Sequence, residues 1–362
     1  MTHGAPAGGS KQNDPIASTE TWFVRHGLPY FVPGERAAAR DALTPRRLVP
    51  LGIAVALGAV AAAVVLAWAV GDLTLGAAGL TIVGVLAAAF YAVTALRGRP
   101  ILVWAVNRTM SSLHLLLPMV TRALPLLLIF VTFLFINAEV WQVAANLDGG
   151  VLWLTVLMFA AMAGVFLFTR LPEELEGADS AVDADRLRRA CRATPLADEV
   201  EQLIHDDRVD EEVRAHARVE GYERSNLLLV MVVVQAVQVL VLAVSVFLFF
   251  MVFGAVVMKD SVMESWIGEG THHFSAVPNV SVELVQVSVF LAAFSALYFT
   301  VVVVTDETYR DQFFTRVKAE LDRAVGVRAA YLVLRERSLP ARPDDDGTPP
   351  TVVIEPPQGP AG

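Results

Sequence analysis

The sequence predicts an all-α fold class, a polytopic transmembrane helical bundle of six spans with a small cytoplasmic helical module. Three observations predict it. Of 362 residues, 55% are hydrophobic and 18% charged, with a mean hydropathy of +0.54, a balance outside the soluble classes. The apolar residues fall in uninterrupted blocks of the length that ~30 Å of bilayer hydrocarbon demands. Lys and Arg crowd one set of connections and nearly vanish from the other.

The same figures exclude whole classes of function. A net charge of -9, with no RNA-binding or zinc-finger signature, excludes a basic nucleic-acid binder. The single cysteine, Cys191, excludes a disulfide framework and a multi-cysteine metal site. There is no Walker loop, dinucleotide fingerprint, HExxH or GxSxG elbow, so no cofactor and no catalytic residue is expected.

In chain order, residues 1–20, rich in Gly, Ala, Ser and Pro, read as a disordered tail. Residues 21–47 place Trp22, Phe23, Tyr30 and Phe31 among arginines, a mixture suited to the headgroup layer, and read as an interfacial segment. The spans are expected at residues 48–70, 73–96, 123–147, 151–169, 227–258 and 284–305, the first serving as an uncleaved signal anchor. Five of the six hold no Asp, Glu, Lys, Arg or His, which a soluble helix of that length would rarely manage. The turns at Gly71-Asp72 and at residues 148–150 are short enough to make antiparallel hairpins. Gly52, Gly58, Gly76, Gly79 and Gly84 give the first two spans small-residue faces for close packing.

Residues 101–121 are apolar but interrupted by Asn107, Arg108, Ser111, Ser112 and His114, and are expected to form a helix lying in the membrane plane. The fifth span would be about 48 Å long, so it must tilt, break near Gly254 or project beyond the outer face. Residues 170–226 place Leu187, Leu196, Val200, Leu203 and Ile204 for a cytoplasmic helical hairpin. After the last span, Phe313, Val317, Leu321 and Ala324 recur at steps of three and four, one helical stripe expected to pack on that hairpin, and residues 340–362 read as a second disordered tail.

Orientation follows from the cations. Twenty-seven of the 28 Lys and Arg lie in the two terminal segments, the connection after the second span and the connection after the fourth; the exception is Lys259. They share one side only if six spans leave both termini in the cytoplasm. The runs PLLLIFVTFLFINAEVWQVA and LYFTVVVVTDETYRDQFF resemble those of uncharacterised integral membrane proteins of high-GC actinobacteria. The resemblance implies a bacterial plasma membrane and carries no activity.

Few residues have the materials for chemistry. Glu139 is the sole ionisable residue inside an expected span, beside Asn137 and Gln142, and a carboxyl in hydrocarbon generally faces a bundle interior or a watery cavity. Gln235 and Gln238, three apart on the fifth span, share a face and suit either interhelical hydrogen bonding or a polar lining. His272 and His273, in an external connection at residues 259–283 with Glu264 and Glu269, are candidates for sensing a metal or pH. Two functions are carried forward: an oligomeric channel or transporter with a polar path through Glu139, Asn137, Gln142, Gln235 and Gln238, or a non-catalytic scaffold recruiting a cytoplasmic protein partner through its helical module. A lipid enzyme would have only the scattered His26, Glu139 and His272. The lipid bilayer and a second copy of the chain are the remaining expected partners.

Overall fold

The computed structural model describes residues 14–70, 73–147, 150–175, 184–205, 212, 213, 216, 219–274, 277–305 and 307–338, and these are helical almost throughout. In order they form α1 (Pro15–Arg25), a short 3-10 turn (Pro29–Phe31), α2 (Pro33–Ala42), α3 (Pro45–Val70), α4 (Leu73–Thr94), α5 (Gly98–Phe135), α6 (Ala138–Ala145), α7 (Gly150–Leu175), α8 (Ala184–Cys191) and α9 (Ala197–Leu203). There follow α10 (Gly221–Val257), α11 (Asp260–Ile267), the antiparallel pair β1 (His273–Phe274) and β2 (Val277–Ser281), α12 (Val282–Thr305) and α13 (Glu307–Ser338).

Five of these, α3, α4, α7, α10 and α12, are long and apolar enough to cross a membrane, and the bent pair made by the end of α5 and α6 would supply a sixth. Their outward faces decide the solvent. Val60, Val64, Val65 and Trp68 of α3 stand exposed, Trp68 by 87%. A large side chain left in water forgoes about 1.5–3 kcal/mol of burial, so such a row is stable only in hydrocarbon. The chain is a membrane-spanning protein. Helix α12 is the most enclosed of these five and touches α5, α6, α7 and α10, while α3 leans on α4 at the edge.

The molecule has two cores. One, at the end rich in charge, gathers Phe23, Phe31 and Ile101 with Leu187, Leu196, Val200, Leu227, Val234, Leu321, Ala324 and Tyr331. The other joins Val131, Phe135 and Trp141 to Val246, Phe250, Met263 and Leu284 at the opposite end. Helix α10, with 37 residues and so about 55 Å long, contributes to both.

Several expectations are corrected. Within residues 21–47, Phe23 and Phe31 do not face outward: they are 0% and 1% exposed because α1, the 3-10 turn and α13 close around them. Residues 15–20 of the expected disordered tail are helical instead, since Asp14 caps α1, its side chain accepting from the Ile16 amide at 3.0 Å with Pro15 at the first helical position; residues 1–13 lie outside the described residues. No separate in-plane helix occupies residues 101–121, which instead begin the unbroken 38-residue α5. Of the polar positions that seemed to interrupt it, Arg108 pairs with Glu320 of α13, beside the buried Thr109, while Asn107 and Ser111 are exposed and the side chains of Ser112 and His114 lie outside the described ones. The fifth span does not break near Gly254. A Cβ there would lie 2.3 Å from the Leu284 side chain and 3.1 Å from Phe135, so the glycine is what lets α10 and α12 meet. Among the glycines of the first two spans, a Cβ on Gly76 would stand 3.0 Å from the Ala63 carbonyl of α3, whereas a Cβ on Gly52, Gly58 or Gly84 would meet nothing within 4 Å.

In the charged-end core α13 lies across α8. Gly326 approaches so near that a Cβ would stand 2.6 Å from the Ala190 methyl, and Arg323 donates to the Ala190 and Arg192 carbonyls at 3.1 and 2.6 Å. The first two members of the α13 stripe and the tail after residue 338 lie outside the described side chains.

Candidate functional site

The residues expected to make a polar path fall into two sets. Helix α5 ends at Phe135, and the chain turns by 74° into α6. Asn137 caps the new helix, its Oδ1 accepting from the amides of Glu139 and Val140 at 2.8 and 3.4 Å. The indole of Trp141 donates to the Phe135 carbonyl at 2.6 Å, satisfying an acceptor freed by the break. Glu139 therefore does not lie inside a continuous span. It occupies the first turn of α6 with its side chain exposed, as is Gln142, and a carboxylate there suits the positive end of the helix.

Gln235 and Gln238 belong elsewhere. Phe250 of α10 stacks on Phe135 beside the break at 4.7 Å, and the two glutamines precede Phe250 by about 22 and 18 Å of helix. The structure does not bring the two sets together. Gln235 is 1% exposed, and neither its Nε2 nor the Oε1 of Gln238 has a hydrogen-bond partner among the described residues.

His272 and His273 turn to different carboxylates. His272 meets Glu283 through its ring Nδ1 at 2.9 Å and its backbone amide at 3.1 and 3.2 Å, while His273 Nε2 lies 3.3 Å from Asp260. These pairs tie the hairpin to the first turns of α12 and α11. Among the described residues no three His, Cys, Asp or Glu side chains converge as metal ligands would.

The most elaborate polar assembly is one that the sequence did not point to. Helix α10 begins inside the charged-end core, where the Glu223 carboxylate, its side chain 5% exposed, accepts from Arg36 at 2.7 Å through one oxygen and from Arg328 of α13 through the other. Arg36 also donates to the Tyr30 carbonyl at 2.9 Å, and Arg328 to the His216 carbonyl at 2.6 Å. One turn along, the Asn226 side chain accepts from the Tyr30 amide at 2.8 Å and donates to the Gly27 carbonyl at 2.9 Å, and the Tyr30 hydroxyl donates to the Leu96 carbonyl at 2.7 Å. Two adjacent turns of α10 are thus bolted to the amino-terminal segment and to α13, and through Tyr30 the joint reaches the turn between α4 and α5. The signal was present in residue 328: the stripe Leu321, Ala324 continues one step to Arg328, an arginine on an apolar face that needs a buried counter-ion.

Titratable groups around this joint are tuned by burial. His26 stacks on Trp22 with ring centres 3.9 Å apart, beneath the Arg323 guanidinium; burial pushes its imidazole below 6.5, helped by Arg323 and Arg25 and opposed by the hydrogen bond with the Trp22 carbonyl. Burial raises the Glu320 carboxyl against the pull of Arg108 and Arg323. Cys191 is pushed up to about 12, chiefly by burial, so its thiol stays protonated and is no nucleophile at neutral pH. The arrangement can hold elements in register and transmit force between them; it presents no activated group to a substrate.

Comparison with protein-family models, with curated proteins and with solved structures finds no match for the chain.

Proposed function

We propose that the chain is a non-catalytic membrane scaffold, six spans deep in a bacterial plasma membrane with both termini cytoplasmic, whose helical module at the charged end is held rigidly at the membrane surface for a protein partner. The observation that carries this reading is the Glu223 joint. A buried carboxylate between two guanidiniums costs desolvation to assemble, and it serves here to lock α10 to the surface module. The cation distribution supports the orientation, and the likeness of residues 125–144 and 297–314 to actinobacterial membrane proteins supports the location.

A second reading, an oligomeric channel, is favoured by one observation, the unpartnered amide atoms of Gln235 and Gln238 on α10. Two measurements separate the readings. Carboxylate-directed cross-linking in native membranes is expected to join Glu336 or Glu201 of the module to a protein in stoichiometric amount. The full chain in proteoliposomes is expected to pass ions no faster than empty vesicles do. An ion flux that disappears when Gln235 and Gln238 are both replaced by leucine would overturn the scaffold in favour of the channel.

A further inference from the structure

Between α7, α10 and α12 runs an open-sided cavity of about 590 Å³. Its walls include Trp153, Phe159 and Gly164 of α7, Ala236 and Phe247 of α10, and Ala296 of α12. We infer that this cavity is a resident lipid site, holding an acyl chain of a membrane phospholipid that bridges α7 and α10.

The chemistry of the walls selects the occupant. The lining is hydrocarbon almost throughout, and the hydroxyl of Thr300 at one end already donates to the Ala296 carbonyl at 2.8 Å. An ordered water needs two to four polar partners, and the lining offers only the Trp153 indole N–H and the acceptor side of the Thr300 hydroxyl, so the cavity is not aqueous. The three helices that form it are all long enough to cross the membrane, and the residues along its open side, Leu240 and Val244 among them, are exposed and apolar. From Trp153 to Leu167 the trough follows about 21 Å of α7, more than half of the ~30 Å of hydrocarbon, so a chain from one leaflet reaches along it.

Size decides between a lipid and a second copy of the protein. A 150 Å³ apolar cavity accommodates one benzene, so about 590 Å³ takes on the order of twenty carbon atoms. A helix of the same 21 Å, with side chains, is a cylinder of roughly 1,600 Å³, so it could seat only one row of side chains in the trough and leave the rest of its bulk outside. Small wall residues make the room: a Cβ on Gly164 would meet nothing within 4 Å.

The test uses the full chain purified in mild detergent. Native mass spectrometry and lipid extraction are expected to find one phospholipid held per chain through repeated washing, and added phospholipid is expected to restore the thermal midpoint after exhaustive delipidation. Gly164→Leu and Ala236→Phe fill the trough from opposite walls. Each is expected to cut retained lipid roughly tenfold, as displacement from a filled site should, without lowering the thermal midpoint. A folded variant that keeps its full complement of lipid overturns the proposal, and so does one that changes a dimer to a monomer with lipid unchanged, which would make the occupant a second copy. Should both variants misfold, the wild-type chain still decides: a phospholipid with a diazirine on its acyl chain is expected to label α7 and α10 at the trough, and labelling spread evenly over α3 and α4 overturns the site.

Discussion

At Glu223 a carboxylate withdrawn from solvent is shared by two arginines from distant parts of the chain, whereas at Asp41 a carboxylate meets Arg47 with more than half of each side chain in solvent. Physical chemistry separates them. Removing one partner of a buried pair leaves the others uncompensated, so Glu223→Ala is expected to cost about 3–5 kcal/mol, while Arg47→Ala costs under ~1 kcal/mol; thermal unfolding of the two variants in one detergent checks the ranking. His26 gives a pH dependence of defined sign. Its folded imidazole binds a proton less readily than the ordinary value of 6.5, so unfolding takes up protons, and the stabilisation is complete above 6.5 and lost as pH falls from there toward the lowered value. His26→Phe keeps the stack on Trp22 and is expected to flatten the fall in thermal midpoint below pH 6.5; an unchanged slope would assign the acid sensitivity elsewhere.

Among elements, the crossing of α10 and α12 is set by one missing methyl. Leucine at Gly254 would drive into Leu284 and Phe135, and overpacking of this kind costs about 1–3 kcal/mol or more. Gly84→Leu on α4 meets open space and is expected to leave the thermal midpoint unchanged within error, which makes it the control. The break between α5 and α6 is a second case. Asn137→Ala removes the cap of an eight-residue helix and is expected to cost about 1 kcal/mol, read as faster hydrogen exchange in α6 with the charged-end core unaffected. The sequence presents Asn137 as a neighbour of a membrane-buried acid and gives no role to Trp141. They are instead the two side chains that satisfy the backbone where the helix stops, and composition could not show this because Phe135 to Ala145 is apolar enough to pass for a continuous span.

For the whole molecule, the two ends differ in kind, one knitted by ion pairs and the other by stacked aromatics, and the proposed orientation puts them on opposite sides of a bilayer. In a Cys191→Ala background, Gln142→Cys is expected to react with an impermeant maleimide on intact cells, and Ser338→Cys only after permeabilisation; equal labelling of both would cancel the six-span orientation. The wild-type thiol, buried and pushed up to about 12, should stay unlabelled until the protein unfolds. The sequence alone determined that this is a helical membrane protein and where most of its long helices lie, because transfer of apolar side chains into hydrocarbon is additive along the chain and needs no knowledge of neighbours. What only the tertiary structure decided is which polar groups matter. Glu139, conspicuous among apolar neighbours, is exposed at a helix start, and Glu223, inconspicuous in a charged stretch, is the buried centre of the joint. The cost of a charge is fixed by its partners in space, and Arg36 and Arg328 stand 187 and 105 residues from Glu223 in the chain.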